Sequence, residues 1–308
     1  MSGAKDGYKL GLAVEGGGMR GIVSGAMLLG LKEAGAIDCF DGFYGTSSGT
    51  INVAYICAGA SWEALAVYSD HLITKEFISL RHALRLKSPM SMDFLFDVVM
   101  DQRIPLDYDG LFKRIQSGDL RLGVAISDVN AAAPRLLTTF DSAAHLRRCL
   151  RGGATLPVIA GRPYDIGGGV LALDGGALYP APFYPAIEDG CTHVLAIGTR
   201  PWAPQHLGLS WWQHPLAFQL NRWRKGLGNV YKHLNLESYP ERAALQQGDY
   251  SIKGTQVFHL RPAPESHDIS RMTLDRPTLL TGAAESFRQA FSAITGHQPD
   301  DSVEFRLK

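Results

Sequence analysis

Short apolar runs alternate with helical stretches along the first two hundred residues. Tyr8 to Val14 is apolar without polar alternation, the pattern of a strand buried on both faces. Behind it, Val23, Ala26, Met27, Leu31 and Ala34 recur at three- and four-residue steps, which predicts a helix over Ile22 to Ala34 closed by Gly35. A second short strand, Phe40 to Tyr44, meets Gly45, and Ile51 to Ala58 continues as an apolar helix. Further strands are expected at Leu120 to Ile126, Arg135 to Phe140, Val170 to Leu173, His193 to Gly198 and Gln256 to Leu260. Near the carboxyl end, Leu279, Leu280, Ala283, Ala284, Phe287, Phe291 and Ile294 make one amphipathic helical face. Strands alternating with helices predict an α/β fold with a mostly parallel sheet covered on both faces. After Thr199, Pro and Trp become frequent, so the chain is divided into a core domain over residues 8–200 and a C-terminal extension over 201–308 packed on it.

Composition narrows the class without naming a chemistry. The 308 residues are 45% hydrophobic and 19% charged, as expected of a folded globular chain, and the formal net charge is zero. No overall field recruits nucleic acid, so any attraction to an anion must be local. The four cysteines (Cys39, Cys57, Cys149 and Cys191) lie far apart with no C-x-x-C pair, which predicts free thiols rather than a disulfide framework. The first residues lack the apolar core of a signal peptide, and no apolar run reaches the ~18 residues a membrane span needs. A soluble cytoplasmic chain is the expectation.

Two motifs thirty residues apart carry the chemistry. Gly16-Gly17-Gly18-Met19-Arg20-Gly21 follows the first strand, and Gly45-Thr46-Ser47-Ser48-Gly49 follows the second. Gly-x-Ser-x-Gly is the spacing of a nucleophile elbow, and it selects Ser47, with Gly45 and Gly49 two residues to either side. The residue after the nucleophile, Ser48, can offer its N–H to an oxyanion. A glycine run entering a helix supplies further backbone donors from Gly16, Gly17, Gly18 and Met19. Gly16, Gly18 and Gly21 also fit the G-x-G-x-x-G of a dinucleotide-binding loop, and that reading stays open beside the hydrolase one. Against it, the second strand ends in Tyr44-Gly45-Thr46-Ser47 without the acidic residue that would hold a ribose.

A serine nucleophile needs a base. None of the ten histidines stands in a recurring catalytic context: His193 opens a strand, and His71, His82, His145 and His206 sit among surface or packing positions. The carboxylate that stands out is Asp174 in Asp174-Gly175-Gly176, at the end of the strand Val170 to Leu173. Asp-Gly is also an ordinary turn, so this position alone does not decide.

Gly-Gly-Gly-x-Arg-Gly, then Gly-x-Ser-x-Gly, then Asp-Gly-Gly, in this order, resembles the patatin-like phospholipase family over about residues 8 to 200. Ala154-Thr155-Leu156-Pro157 is similar to the Ala-Ser-x-x-Pro run of that family, with Thr155 in place of Ser and one residue fewer before the proline. Glu15 and Pro180 depart from it, standing where Asp or Ser and where Asn are usual. The resemblance implies a three-layer α/β/α fold, a Ser47–Asp174 dyad, an oxyanion loop at Gly16 to Met19 and a lipid ester substrate, phospholipid or lysophospholipid. It implies no metal and no nucleotide cofactor, and no calcium loop of EF-hand spacing occurs. A protein that keeps the pocket for lipid binding without turnover is the non-enzymatic alternative. Arg20 either meets a lipid phosphate or braces the loop.

Two further segments invite a lipid. Ser88 to Met100 is rich in Met and Phe and reads as core packing or as a cover over an acyl groove. Arg200 to Leu236 holds Trp202, Trp211, Trp212 and Trp223 with Arg222, Arg224 and Lys225 and no acidic residue. Aromatic and basic residues together suit a headgroup interface, and a helical extension packed on the core is the other reading.

Overall fold

The computed structural model describes residues 7–79, 88–201, 209–211, 213–248 and 250–299. Nine strands form one sheet: β1 (Leu10–Val14), β2 (Gly42–Gly45), β3 (Leu122–Asp128), β4 (Ala133–Leu137), β5 (Tyr164–Gly167), β6 (Val170–Asp174), β7 (His193–Ile197), β8 (Ser251–Ile252) and β9 (Thr255–Leu260). The centre, β3-β2-β1-β7-β9, is parallel throughout, while β4, β5, β6 and β8 join antiparallel towards the edges. The mostly parallel sheet expected from the sequence is therefore this centre.

Successive strand residues point to opposite faces, and the core divides accordingly. Leu12, Val14 and Phe43 enter one apolar cluster with the helices α1 (Gly21–Glu33), α2 (Ser48–Cys57) and α3 (Ala143–Ala154). Ala13, Tyr44 and Val194 enter a second on the other face. The three layers follow. On the second side lie α4 (Gln213–Trp223), α5 (Leu227–Glu237) and α6 (Tyr239–Gln246), with Leu220, Leu227 and Tyr231 closing a third cluster against Leu173. The last helix, α7 (Arg276–Thr295), packs Phe287 and Ala290 into the first cluster beside α1. Residues beyond 200 thus supply β8 and β9 to the sheet as well as four helices to its faces.

Lys9, Tyr44 and Arg121 converge on Asp189, with Lys9 Nζ at 2.9 Å and the Tyr44 hydroxyl donating at 2.6 Å. This clamp ties the segments that lead into β1 and β3 to β2, and the carboxyl ends of the strands remain for the site. Residues 94–103 form a wide π-type helix whose Phe96, Val99 and Met100 are fully buried. Core packing, the plainer reading of Ser88 to Met100, describes these side chains. Cys57, Cys149 and Cys191 are buried free thiols, and Cys39 is a half-buried one. Among the described residues, no helix is long and apolar enough to cross a membrane.

Candidate functional site

β2 pairs with β3 as far as Gly45 opposite Val124, and the chain then turns sharply into α2. Two residues further along β3, Ile126 pairs with Asp174, the last residue of β6. β4 occupies the other edge at both Val124 and Ile126, so β2 and β6 share one edge of β3 and their ends face each other. This is what brings Ser47 and Asp174 together from positions far apart in sequence.

Ser47 sits at the turn with φ 57° and ψ −136°, a conformation that L-residues rarely adopt. The surrounding backbone leaves no room to relax it. A Cβ on Gly49 would stand 2.3 Å from the Val14 carbonyl oxygen, and one on Gly45 would stand 2.3 Å from the Thr50 Cα. Both flanking positions therefore need glycine for close approach. Ser47 itself is 7% exposed at the head of α2.

Asp174 is held at three points besides its pairing. Its N–H donates to the Thr155 carbonyl at 2.9 Å, its carbonyl accepts from the Ser127 hydroxyl at 2.8 Å, and Oδ1 accepts from the Gly176 N–H at 2.8 Å. Oδ2 is buried without a partner at hydrogen-bond geometry. Burial raises the carboxyl pKa to about 6; hydrogen bonding from the neighbouring Ser47 hydroxyl and the Gly176 N–H, with the charge of Arg271, pull the other way. Ser47 thus touches the carboxyl only loosely at rest, favouring its charged form without filling Oδ2.

The glycine loop wraps the elbow from the other side. The Gly17 N–H donates to the Ser48 hydroxyl at 2.9 Å, and the Met19 N–H to the Arg271 carbonyl at 3.1 Å. The N–H groups of Gly18 and Ser48 have no acceptor among the described residues. Arg20 is 3% exposed and does not line the cavity; its Nε donates to the Thr199 hydroxyl at 3.2 Å. That hydroxyl donates in turn to the Gly16 carbonyl at 3.0 Å, so Arg20 braces the loop from beneath. Burial, then the charge of Arg200, brings its guanidinium down to about 10. Glu15 accepts from the Thr199 N–H at 2.7 Å and continues the same brace.

Two spaces meet at Ser47. A cavity of about 430 Å³ is lined by Glu15, Gly16, Gly17, Ser47, Asp174 and residues from beyond 200. A narrow apolar pocket of about 30 Å³ opens on its other side, lined by Ile51, Phe77, Met90, Met92 and Leu95 among others.

The family model described as patatin-like phospholipase matches residues 12–187, more than half of the 308-residue chain. The chain belongs to the patatin-like phospholipase family. Membership implies lipid acyl hydrolase activity. No curated protein sequence matches the chain significantly. Among solved structures it is similar to VipD from Legionella pneumophila, at 12% identity and a TM-score of 0.48, over 94% of this chain and 67% of that one.

Within this patatin-like domain, the residues singled out from sequence (Gly16 to Gly21, Gly45, Ser47, Gly49, Asp174, Gly175 and Gly176) gather around the one turn. A Cβ on Gly175 would stand 2.4 Å from the Ala125 carbonyl oxygen, which explains the glycine after Asp174. Thr155, Ser127 and Thr199, which position the aspartate and the loop, carry no pattern that marks them, apart from the Ala-Thr-Leu-Pro run around Thr155. His259, missed in the sequence, also lines the large cavity; burial, then the charge of Arg261, lowers its pKa well below the usual value, and Arg261 Nε lies 3.1 Å from its Nε2. The basic, Trp-rich segment is brought only partly to the surface. Trp211 is 83% exposed and Arg222, Arg224 and Lys225 are exposed, but Trp223 packs against the third apolar cluster. Trp202 and Trp212 lie outside the described residues. Among the described residues no group of three or more His, Cys, Asp or Glu is arranged to hold a metal ion.

Proposed function

We propose that this chain hydrolyses carboxylic esters of lipids through an acyl-enzyme on Ser47, with Asp174 as its base and no histidine. The observation that carries the reading is a strained serine beside a buried carboxyl with one unpartnered oxygen. An aspartate at its ordinary pKa is a poor base for a hydroxyl, and burial improves it. Oδ2 takes the Ser47 proton as Oγ attacks the ester carbonyl carbon. The charge that forms on the carbonyl oxygen is met by the N–H groups of Gly18 and Ser48, at the end of the Gly16–Met19 loop and the start of α2. Collapse breaks the bond to the alcohol, which leaves with the proton held by Asp174. Water then gives a proton to Asp174 and attacks the acyl-enzyme, releasing the acid and restoring Ser47.

The apolar pocket beside Ser47 has the lining for the first carbons of an acyl chain, and at about 30 Å³ it admits a longer chain only as Met90 and Met92 shift. Trp211, Phe218, Arg222, Arg224 and Lys225 form the surface through which the enzyme meets an anionic lipid layer.

Hydrolysis of a soluble p-nitrophenyl ester tests the mechanism. Ser47→Ala and Asp174→Asn each lose about a thousandfold or more in kcat while remaining folded. A fluorophosphonate labels the parent chain and not Ser47→Ala. A folded Ser47→Ala chain with parental activity refutes the reading.

A further inference from the structure

Four arginines line the large cavity at Ser47: Arg200 after β7, Arg242 on α6, Arg261 after β9 and Arg271 before α7. All four lie outside residues 12–187, so they belong to the part of this chain that the family model does not describe. Among the described residues only two carboxylates line the same cavity. One is Asp174, and the other, Glu15, already accepts the Thr199 N–H. Among the described residues, no Asp or Glu comes within ion-pair distance of Arg200, Arg242 or Arg271. The Nε atoms of Arg242 and Arg271 are buried and have no hydrogen-bond partner.

Two of these guanidinium groups bond backbone carbonyls, and Arg261 Nε also reaches the His259 imidazole at 3.1 Å. Arg261 Nη1 donates to the Arg200 carbonyl at 3.1 Å, and Arg242 Nη2 to the Asn235 carbonyl at 3.2 Å. Those bonds fix the two side chains in place, and the charges of Arg200, Arg242 and Arg271 meet no carboxylate among the described residues. Gathering like charges at the wall of a partly dry cavity is unfavourable by itself. An anion with several oxygens would relieve it, because guanidinium groups match phosphate geometry two N–H groups at a time.

We propose that Arg200, Arg242, Arg261 and Arg271 form the subsite for a terminal phosphate on the alcohol side of the ester, making acyl esters that end in a phosphomonoester the preferred substrates. This assignment rests on the hydrolase reading above. The acyl chain enters the apolar pocket, the scissile carbonyl lies at Ser47, and the phosphate dianion faces the arginines. A choline or ethanolamine headgroup has to set its ammonium among the guanidinium groups, away from Asp174 at the scissile bond, and is selected against. A neutral glyceride leaves the wall uncompensated.

The experiment compares kcat/KM of the full chain for three lipids of one acyl length, below aggregation: a monoacylglycerol phosphate, the matching phosphocholine and the matching monoacylglycerol. The phosphomonoester is expected to lead both by about tenfold or more, and Arg242→Gln shrinks that lead by a similar factor, with Arg242→Lys restoring part of it. Arg261→Gln serves the same purpose if Arg242→Gln does not fold. Equal rates on the three lipids, or a lead that survives both substitutions, overturn the subsite while leaving ester hydrolysis intact. If no ester is cleaved, the hydrolase reading fails separately. Titration calorimetry with glycerol 3-phosphate then decides the subsite, where binding weakened in Arg242→Gln supports it and no binding overturns it. Inorganic phosphate is the second probe: binding as tight as that of glycerol 3-phosphate assigns the wall to free phosphate and overturns the lipid assignment.

Discussion

The Gly17 N–H donates to the Ser48 hydroxyl at 2.9 Å, so the glycine loop and the serine turn are tied together by a side chain next to the nucleophile rather than by the nucleophile itself. Both residues are buried, where an unpaired polar group is costly. Gly-x-Ser-Ser-Gly therefore divides two tasks between adjacent serines. In the proposed mechanism Ser47 does the chemistry, and Ser48 holds the donors in register.

Ser48→Ala separates these tasks. It leaves the Gly17 N–H buried and unpaired at a cost of about 1–3 kcal/mol. The expected result is a lower melting temperature and a several-fold fall in kcat, while Ser47 still reacts with a fluorophosphonate. Thermal denaturation and ester kinetics on the same preparation check it; parental values in both show that the loop is held in some other way.

With Asp174 as the proposed base, its pKa sets the pH dependence. Burial, which outweighs the Ser47 and Gly176 hydrogen bonds, puts it at about 6, and the base must be ionised to take a proton. For a soluble ester, kcat/KM should rise about tenfold per pH unit below that value and level off above it. A profile flat from about pH 4.5 to 7.5 rules out a carboxyl base titrating there.

The same shift makes Asp174 a cost to the fold. A carboxyl that holds its proton up to about pH 6 when folded, against 3.8 as the ordinary value, favours the folded state only while protonated. Stability is lost as pH rises between those values and the loss is complete above about 6, amounting to at most about 3 kcal/mol. Asp174→Asn keeps an acceptor for the Gly176 N–H and removes the buried charge. The inactive variant should therefore melt no lower than the parent at pH ~7.5, and its advantage should vanish towards pH ~4. Melting below the parent at neutral pH contradicts this account.

The place of the candidate site was legible because it sits in backbone-demanding turns, where only certain residues fit: Gly45 and Gly49 at close approaches, Ser47 between them, and Asp174 ahead of Gly175. The central strands were legible as unbroken apolar runs because both faces are covered. β5 was not, since Tyr164–Gly167 is a bulged edge strand whose Asp165 is exposed and whose following glycines read as a turn. β8 has two residues and no period to detect. Thr155 acts on Asp174 through its carbonyl, which no side-chain pattern reports. Arg200, Arg242, Arg261 and Arg271 come from four separate segments: the pairing of β9 beside β7 brings Arg200 and Arg261 together, and α6 and the loop before α7 add Arg242 and Arg271. Trp223, read with its neighbours as a lipid contact, is drawn inward by the α4 face it shares with Leu220, against the cluster that Leu227 of α5 also enters.

That inward turn of Trp223 changes which side chains can meet a membrane. Phe218 is 66% exposed and stands one helical turn from Arg222, so an apolar group and a cation share one face of α4. Trp211 precedes that helix, and Arg224 and Lys225 follow it, exposed. This pairing of aromatic and basic side chains suits the boundary of an anionic bilayer, where each cation near the surface adds about 1 kcal/mol. Replacing Arg222, Arg224 and Lys225 together by Ala should weaken sedimentation with anionic vesicles on the order of a hundredfold. Raising the salt should weaken the parent's binding in the same direction. Phe218→Ala should weaken binding at every salt concentration, because it removes buried apolar area rather than charge. Trp223→Phe, by contrast, should leave vesicle binding at the parental level and lower the melting temperature. Binding that survives the triple substitution, or that depends on Trp223 and not on Phe218, shows that another surface meets the lipid.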